Sequence, residues 1–191
     1  MELCFATNNV HKISEVRSLL PKHHTVLSLK DIGCDAALPE EQSTLQGNAK
    51  QKASYVKVHF GFDCFADDTG LEVDALRGAP GVFSARYAGP ECDDVANYTR
   101  LLQELKDQEN RTARFRTVIC LISKQSVHYF EGVVNGRITR EPRGIHGFGY
   151  DPVFLPDGAE LTFAEMSGQQ KNLISHRGAA IRKLVDFLSH E

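Results

Sequence analysis

The stretch Phe65-Ala66-Asp67-Asp68-Thr69-Gly70-Leu71-Glu72-Val73-Asp74-Ala75-Leu76 constrains this chain most. It begins apolar, breaks into two adjacent carboxylates, a hydroxyl and a glycine, then resumes an alternating pattern. The pattern predicts a strand that ends at an acidic loop, with a second strand after it. Two carboxylates at a strand end make a hard-oxygen site, suited to a magnesium-type cation or to activating a water. An ordinary Asp-Asp-Thr-Gly turn fits the same residues, because Asp, Thr and Gly are common in turns.

The flanking sequence alternates between strand and helix. Leu3 to Ala6 reads as a short buried strand, followed by the polar turn Thr7-Asn8-Asn9. Ile13, Val16, Leu19 and Leu20 then recur at helical spacing, and Pro21 closes the segment. Strand, polar turn and helix together aim backbone N–H groups at an anion. Lys12 sits in the first turn, against the helix dipole, which suits either an anionic ligand or a solvated surface lysine. Thr25 to Leu29 predicts a strand, and Thr44 to Phe60 a helix stopped by Gly61. In that helix Ala49, Ala53 and Val56 form a narrow apolar stripe, and Asn48 and Lys52 share a face.

Asp93 or Asp94 caps a helix that presents Val95, Tyr98, Leu102 and Leu105. Arg114 to Ile122 and Val127 to Val134 form an antiparallel hairpin, with Arg114 and Arg116 facing solvent. Val153 to Leu155 is a short strand, and Thr162 to Met166 a helical turn. The last helix presents Ile181, Leu184, Val185 and Leu188; Ser175 as its N-cap puts His176 and Arg177 in the first turn. The class is α/β with a mixed sheet.

At 191 residues, 1–191 is expected to form one domain with a real core. A formal net charge of -3 gives no basic excess, so polymeric nucleic acid is not the expected partner. No apolar stretch approaches membrane-spanning length, and the first residues lack a signal-peptide pattern. Cys4, Cys34, Cys64, Cys92 and Cys120 are odd in number and widely spread, without a Cys-x-x-Cys pair. A reducing cytoplasm is the expected compartment.

Basic residues fall at three expected junctions: Lys12, the Lys171 region and His176-Arg177. The adjacent carboxylates fall at a fourth. Polyphosphate bound through a divalent cation needs both kinds of group, carboxylates for the metal and cations with N–H groups for the phosphate oxygens. Gly144, Gly147 and Gly149 would let backbone approach a ligand, and Phe148 and Tyr150 offer faces to a flat base. No nucleophile-elbow, His-Glu-x-x-His or Walker lysine motif occurs. His23, His24, His59, His128 and His190 read as surface or edge residues.

The motifs together resemble the inosine triphosphate pyrophosphatase family, also called Ham1-like. The resemblance spans nearly the whole chain. It is carried by Phe5-Ala6-Thr7-Asn8-Asn9-x-x-Lys12, Asn48-Ala49-x-x-Lys52-Ala53 and Ala66-Asp67-Asp68-Thr69-Gly70-Leu71. It continues through Gly78-Ala79-Pro80-Gly81-Val82-x-Ser84-Ala85-Arg86-Tyr87, Thr139-Arg140-Glu141-Pro142, Gly147-Phe148-Gly149-Tyr150-Asp151-Pro152 and Ser175-His176-Arg177-Gly178. The resemblance implies a two-lobed α/β fold of Ham1/Maf type, with a long central mixed sheet flanked by helices and a cleft between the lobes. It implies hydrolysis of ITP, dITP and XTP to the monophosphate plus pyrophosphate, with Mg2+ as cofactor and a homodimer as the assembly.

By the same resemblance, Asp68 is the catalytic carboxylate and a metal ligand, with Glu40 as second metal-side acid and Glu41 as its rival. Thr7, Asn8, Asn9, Val10, His11, Lys12, Lys52 and Thr69 correspond to triphosphate contacts. Phe148, Gly149, Tyr150, Asp151, Lys171, His176 and Arg177 correspond to base and substrate contacts. Asn8 stands where the family often has glycine, and asparagine tolerates the left-handed backbone a glycine would allow. The rival readings are a Maf-like pyrophosphatase of other base specificity and a catalytically silent nucleotide-binding module.

Overall fold

The computed structural model describes residues 2–21 and 24–190, so His23 lies outside the described residues. Period-two alternation along three strands builds the core. In β1 (Glu2–Phe5), Leu3 and Phe5 enter one buried cluster, while Cys4 and the following Ala6 enter another. In β3 (Cys64–Val73), Phe65 joins the first cluster, and Cys64 and Ala66 join the second. In β5 (Thr112–Ser123), Ile119 and Leu121 separate in the same way from Cys120 and Ile122. Both faces of these strands are buried, which is why they read as continuous apolar runs.

Helices cover the two faces. α1 (Val10–Leu19) and α5 (His176–Ser189) close the first cluster through Val16, Ala180, Ile181 and Leu184. There the rings of Phe5 and Phe65 stack at 4.6 Å. α2 (Leu45–Phe60) closes the second through Ala49, Ala53 and Val56, whose small size permits a close approach. Thr44 caps α2 by accepting from Gly47 N, and Gly61, at φ 78°, ends it as expected.

β1 runs parallel to β2 (Thr25–Leu27), with Leu3 opposite Val26, and parallel to β3, with Cys4 opposite Cys64. β4 (Pro80–Gly81) pairs antiparallel with β3. β6 (Ser126–Ile138) and β7 (Phe154–Pro156) pair antiparallel, with Arg137 opposite Leu155. The order is β2-β1-β3-β5-β6-β7, a mixed α/β sheet as expected. The chain forms two compact units. The first takes residues up to Asp68, Thr117–Gly132 and those from Arg177 onward; the second takes Thr69–Arg116 and Val133–His176. The second has its own core of Leu71, Leu101, Leu105, Phe115, Phe154 and Phe163, with α3 (Asp94–Glu104) and α4 (Gly168–Ile174).

Four local expectations are corrected. The acidic loop does not exist: β3 passes unbroken through Asp67, Asp68, Thr69 and Gly70. The strand expected over 25–29 stops at Leu27, because Lys30–Ile32 makes a 3-10 turn ending at Gly33, φ 72°. Lys171 lies inside α4 rather than at a junction. Asn8 is not left-handed; among the described residues the non-glycine positive φ values belong to Arg77, Cys92 and Lys124. Of the described histidines named above, His59 and His190 are exposed, and His24 and His128 half-buried.

Candidate functional site

The pleat of β3 divides the acidic pair. Asp67 follows Phe65 toward α1 and α5, where its Oδ1 accepts from Lys12 Nζ at 2.9 Å and its Oδ2 from Arg177 Nε at 3.1 Å. Asp68 follows Ala66 toward α2, where its Oδ2 accepts from Asn48 Nδ2 at 3.0 Å. Lys52 Nζ lies 3.6 Å from Asp68 Oδ1 and also donates to Glu40 Oε1. One ammonium therefore touches both carboxylates of the expected metal pair. Glu41 instead bonds Gln51 and is exposed.

These groups are deeply placed. Asp67 is 1% exposed, Arg177 2%, Lys52 5% and Asp68 8%. Burial alone would raise the Asp67 carboxyl, but Lys12, Arg177 and Lys52 together hold it well below the usual carboxylate range. Burial raises the Asp68 carboxyl above its ordinary value, and the pull of Lys52, Lys12 and Asn48 in the other direction does not cancel it. Lys52 is opposed by burial yet raised, because Asp68 and Glu40 favour its charge. Lys12 is lowered, by burial first, with repulsion from Lys52 and Arg177 added. Asp67 is thus a firmly ionised structural partner, while Asp68 is a carboxylate made more basic than usual.

Local structure explains how the cations arrive. Asn9 caps α1 by accepting from His11 N and Lys12 N, which starts the helix in time to send Lys12 to Asp67. Thr7 Oγ1 accepts from Asn9 N and tightens the preceding turn. Asn8, Val10 and His11 lie exposed around the start of this helix. Ser175 is extended, at ψ 156°, and α5 begins directly after it. Arg177 then reaches both Asp67 and Glu15.

The second unit holds the other expected contacts. Lys171 Nζ donates to Asp151 Oδ2 at 2.7 Å and lies 4.7 Å from the centre of the Phe148 ring. The same carboxylate oxygen accepts from Phe148 N at 2.9 Å. Tyr150 Oη donates to Ser84 O at 2.8 Å. His176 is buried and stacks on Phe115 at 4.5 Å, and Thr69 is half-buried on β3. The glycines have protein reasons for being there. A side chain at Gly147 would meet Asp151 Oδ2 at 2.0 Å, and one at Gly144 the Ala164 backbone at 2.3 Å.

Glu15 and Asn48 belong to these arrangements but are not among the expected site residues. Asn48 is visible in the sequence as the partner of Lys52 on one helix face; Glu15 looks like an ordinary surface acid.

Mixed-sheet α/β protein, with a buried carboxylate and cation cluster on a central strand, is the class that fold and site define. The chain belongs to the Ham1 family, whose model matches residues 3–187. It is 54% identical over 189 residues to a dITP/XTP pyrophosphatase of Christiangramia forsetii, covering 99% of this chain and 100% of that protein. It is 43% identical to a dITP/XTP pyrophosphatase of Bacillus subtilis, covering 98% of this chain and 96% of that protein. A solved HAM1 protein from Coxiella burnetii superposes with a TM-score of 0.92 at 36% identity, covering 100% of both chains. The Staphylococcus aureus Ham1 protein gives 0.90 at 37%, covering 100% of this chain and 99% of that one.

Proposed function

We propose that this chain hydrolyses non-canonical purine nucleoside triphosphates, ITP, dITP and XTP, to the nucleoside monophosphate and pyrophosphate. The names of the relatives support the substrate class. The observation that carries the chemistry is the Glu40–Lys52–Asp68 group, a basic carboxylate beside a buried ammonium.

Asp68 takes the proton of a water that attacks the α-phosphorus, and its raised basicity suits that task. Asn48 holds the second oxygen of Asp68 and so fixes its orientation. Lys52 and Lys12 place positive charge where the leaving pyrophosphate develops negative charge. Mg2+ fits the donor set: Glu40 and Asp68 are hard-oxygen ligands that already share one cation, and magnesium typically takes one or two carboxylates plus substrate phosphates. When bound, it supplies Lewis-acid charge at the phosphate oxygens. Phe148, Tyr150, Asp151 and Lys171 form the part of the proposal that receives the purine, as a ring face beside a buried ion pair.

Selectivity against ATP follows from donors aimed at the purine 6-oxygen, because adenine would set an amino group against a buried donor; guanine shares that oxygen, so any preference over GTP has to come from contacts at the purine 2-position. We read 1–191 as one catalytic domain, since the chain returns repeatedly to each unit. A homodimer and a cytoplasmic location complete the proposal. Among the described residues no helix is long and apolar enough to cross a membrane. The test is kcat/KM for ITP, XTP, ATP and GTP with Mg2+, assaying pyrophosphate against orthophosphate. Pyrophosphate release with ITP and XTP preferred is expected; a flat series or orthophosphate would overturn the reading. Light scattering tests the dimer.

A further inference from the structure

We propose that Asp94 is a positioning residue for the purine-receiving turn Phe148–Asp151. This rests on the reading of that turn given above. Two adjacent acids open α3 and divide their work. Asp93 is the N-cap, accepting from Ala96 N at 2.7 Å. Asp94 is therefore not needed for capping, and its Oδ2 accepts from Gly149 N at 2.7 Å, across 55 residues of chain. Gly149 has φ 62°, in the left-handed region, and the preceding Phe148 N–H is held by Asp151. Two carboxylates thus fix two successive amides, and the Phe148 side chain branches from the Cα that separates those amides in the chain. Charge-assisted bonds of this kind are short and strong for their size.

α3 also grips the neighbouring turn. Asn97, one helical turn beyond Asp94, donates to Ala85 O at 2.9 Å and accepts from Ala88 N at 2.6 Å. Tyr150 Oη reaches Ser84 O in the same segment. The purine-receiving turn is therefore tied to α3 directly through Asp94 and indirectly through Ser84 and Asn97. Asp94 lies on the surface, so its removal need not disturb a core.

An acid in the first turn of a helix also favours the helix dipole, and that alone would be a purely structural role. Asp94→Ala removes charge and acceptor; Asp94→Asn removes the charge but keeps an acceptor oxygen. The readouts are product-inhibition constants for IMP and for pyrophosphate, with kcat and Tm. Asp94→Ala is expected to weaken IMP about tenfold, to leave pyrophosphate inhibition unchanged, and to alter kcat by less than about twofold. Asp94→Asn is expected to recover most of the IMP affinity. Equal Tm losses in both variants with unchanged IMP inhibition would overturn the proposal. Phe148→Ala separates the two levels. If it leaves IMP inhibition unchanged, the purine assignment of the turn fails; if it weakens IMP while Asp94→Ala does not, the role of Asp94 fails.

Discussion

Asp67 and Asp68 are neighbours in the chain, yet they meet different partners: Asp67 meets Lys12 and Arg177, and Asp68 meets Asn48 and Lys52. The pleat of β3 sends successive side chains to opposite faces, so an acidic dipeptide becomes two sites with opposite electrostatics. One carboxylate is held ionised by flanking cations, and the other is raised by burial.

The corresponding amides should therefore act in opposite senses. Asp67→Asn leaves buried Arg177 and half-buried Lys12 without their shared counter-charge, and should cost about 3–5 kcal/mol of stability. Asp68→Asn removes a charge that burial disfavours, so Tm at neutral pH should hold or rise. Its kcat should fall by about 10²–10⁴ through loss of the base. Thermal melts and steady-state kinetics on both variants check this. Near-normal turnover in Asp68→Asn would remove Asp68 from the mechanism.

Acidification should abolish activity before it abolishes the fold. Asp68 has a raised folded pKa, so kcat/KM falls as pH drops through a value above the ordinary carboxylate value of about 4. Asp67 has a depressed folded pKa, so its stabilisation is complete above its unfolded value and is lost only as pH falls through the lower folded one. Raising Mg2+ should move the activity limb to lower pH, because a bound cation favours the ionised carboxylate. Paired pH profiles of kcat/KM and circular-dichroism melts, from about pH 3 to about pH 7, read both limbs. Coincident limbs would contradict the division of roles.

Glu40 and Glu41 should separate cleanly despite being adjacent. Glu40 shares Lys52 with Asp68, whereas Glu41 bonds Gln51 on the exposed side. Glu40→Gln should raise the Mg2+ concentration for half-maximal activity by about tenfold or more. Glu41→Gln should stay within about twofold of the parent, as surface substitutions usually do. A Mg2+ titration of activity on each variant is sufficient, and the reverse ranking would make Glu41 the metal-side acid.

Local signals in the sequence located most elements. The apolar run up to Ile122 identifies β5, the short connection to Val127 identifies β6 as its hairpin partner, and Thr44 and Gly61 mark the two ends of α2. The unbroken passage of β3 through Asp67-Asp68 was not legible, because the compensating groups come from 20, 55 and 110 residues away. Without those partners, two adjacent carboxylates belong in a solvated turn. α4 was missed for a different reason. It is seven residues long and buries Lys171 and Asn172 rather than an apolar stripe. Its one local signal was the capping box from Ser167 to Gln170. The proposal of Glu40 as the metal-side acid rests on family resemblance alone at the level of sequence, since Glu40 lies in an irregular loop and meets Lys52 through the fold.

The Lys171–Asp151 pair supplies the sharpest test of the second unit. Both side chains are at most 5% exposed, and Asp151 Oδ2 also receives Phe148 N. Lys171→Met keeps the length and packing of the lysine stem but leaves a buried carboxylate without its counter-charge. It should cost about 3–5 kcal/mol. Gly147→Ala crowds the same oxygen: its Cβ would meet Asp151 Oδ2 at 2.0 Å, on a backbone with φ 76°. Displacing Asp151 should loosen both Lys171 and the Phe148 amide. Gly147→Ala should therefore raise KM for ITP severalfold, while Gly33→Ala, with equally left-handed φ but open space around it, should lower Tm without changing KM. Equal KM effects at the two glycines would show that backbone strain, rather than the Asp151 contact, governs substrate affinity.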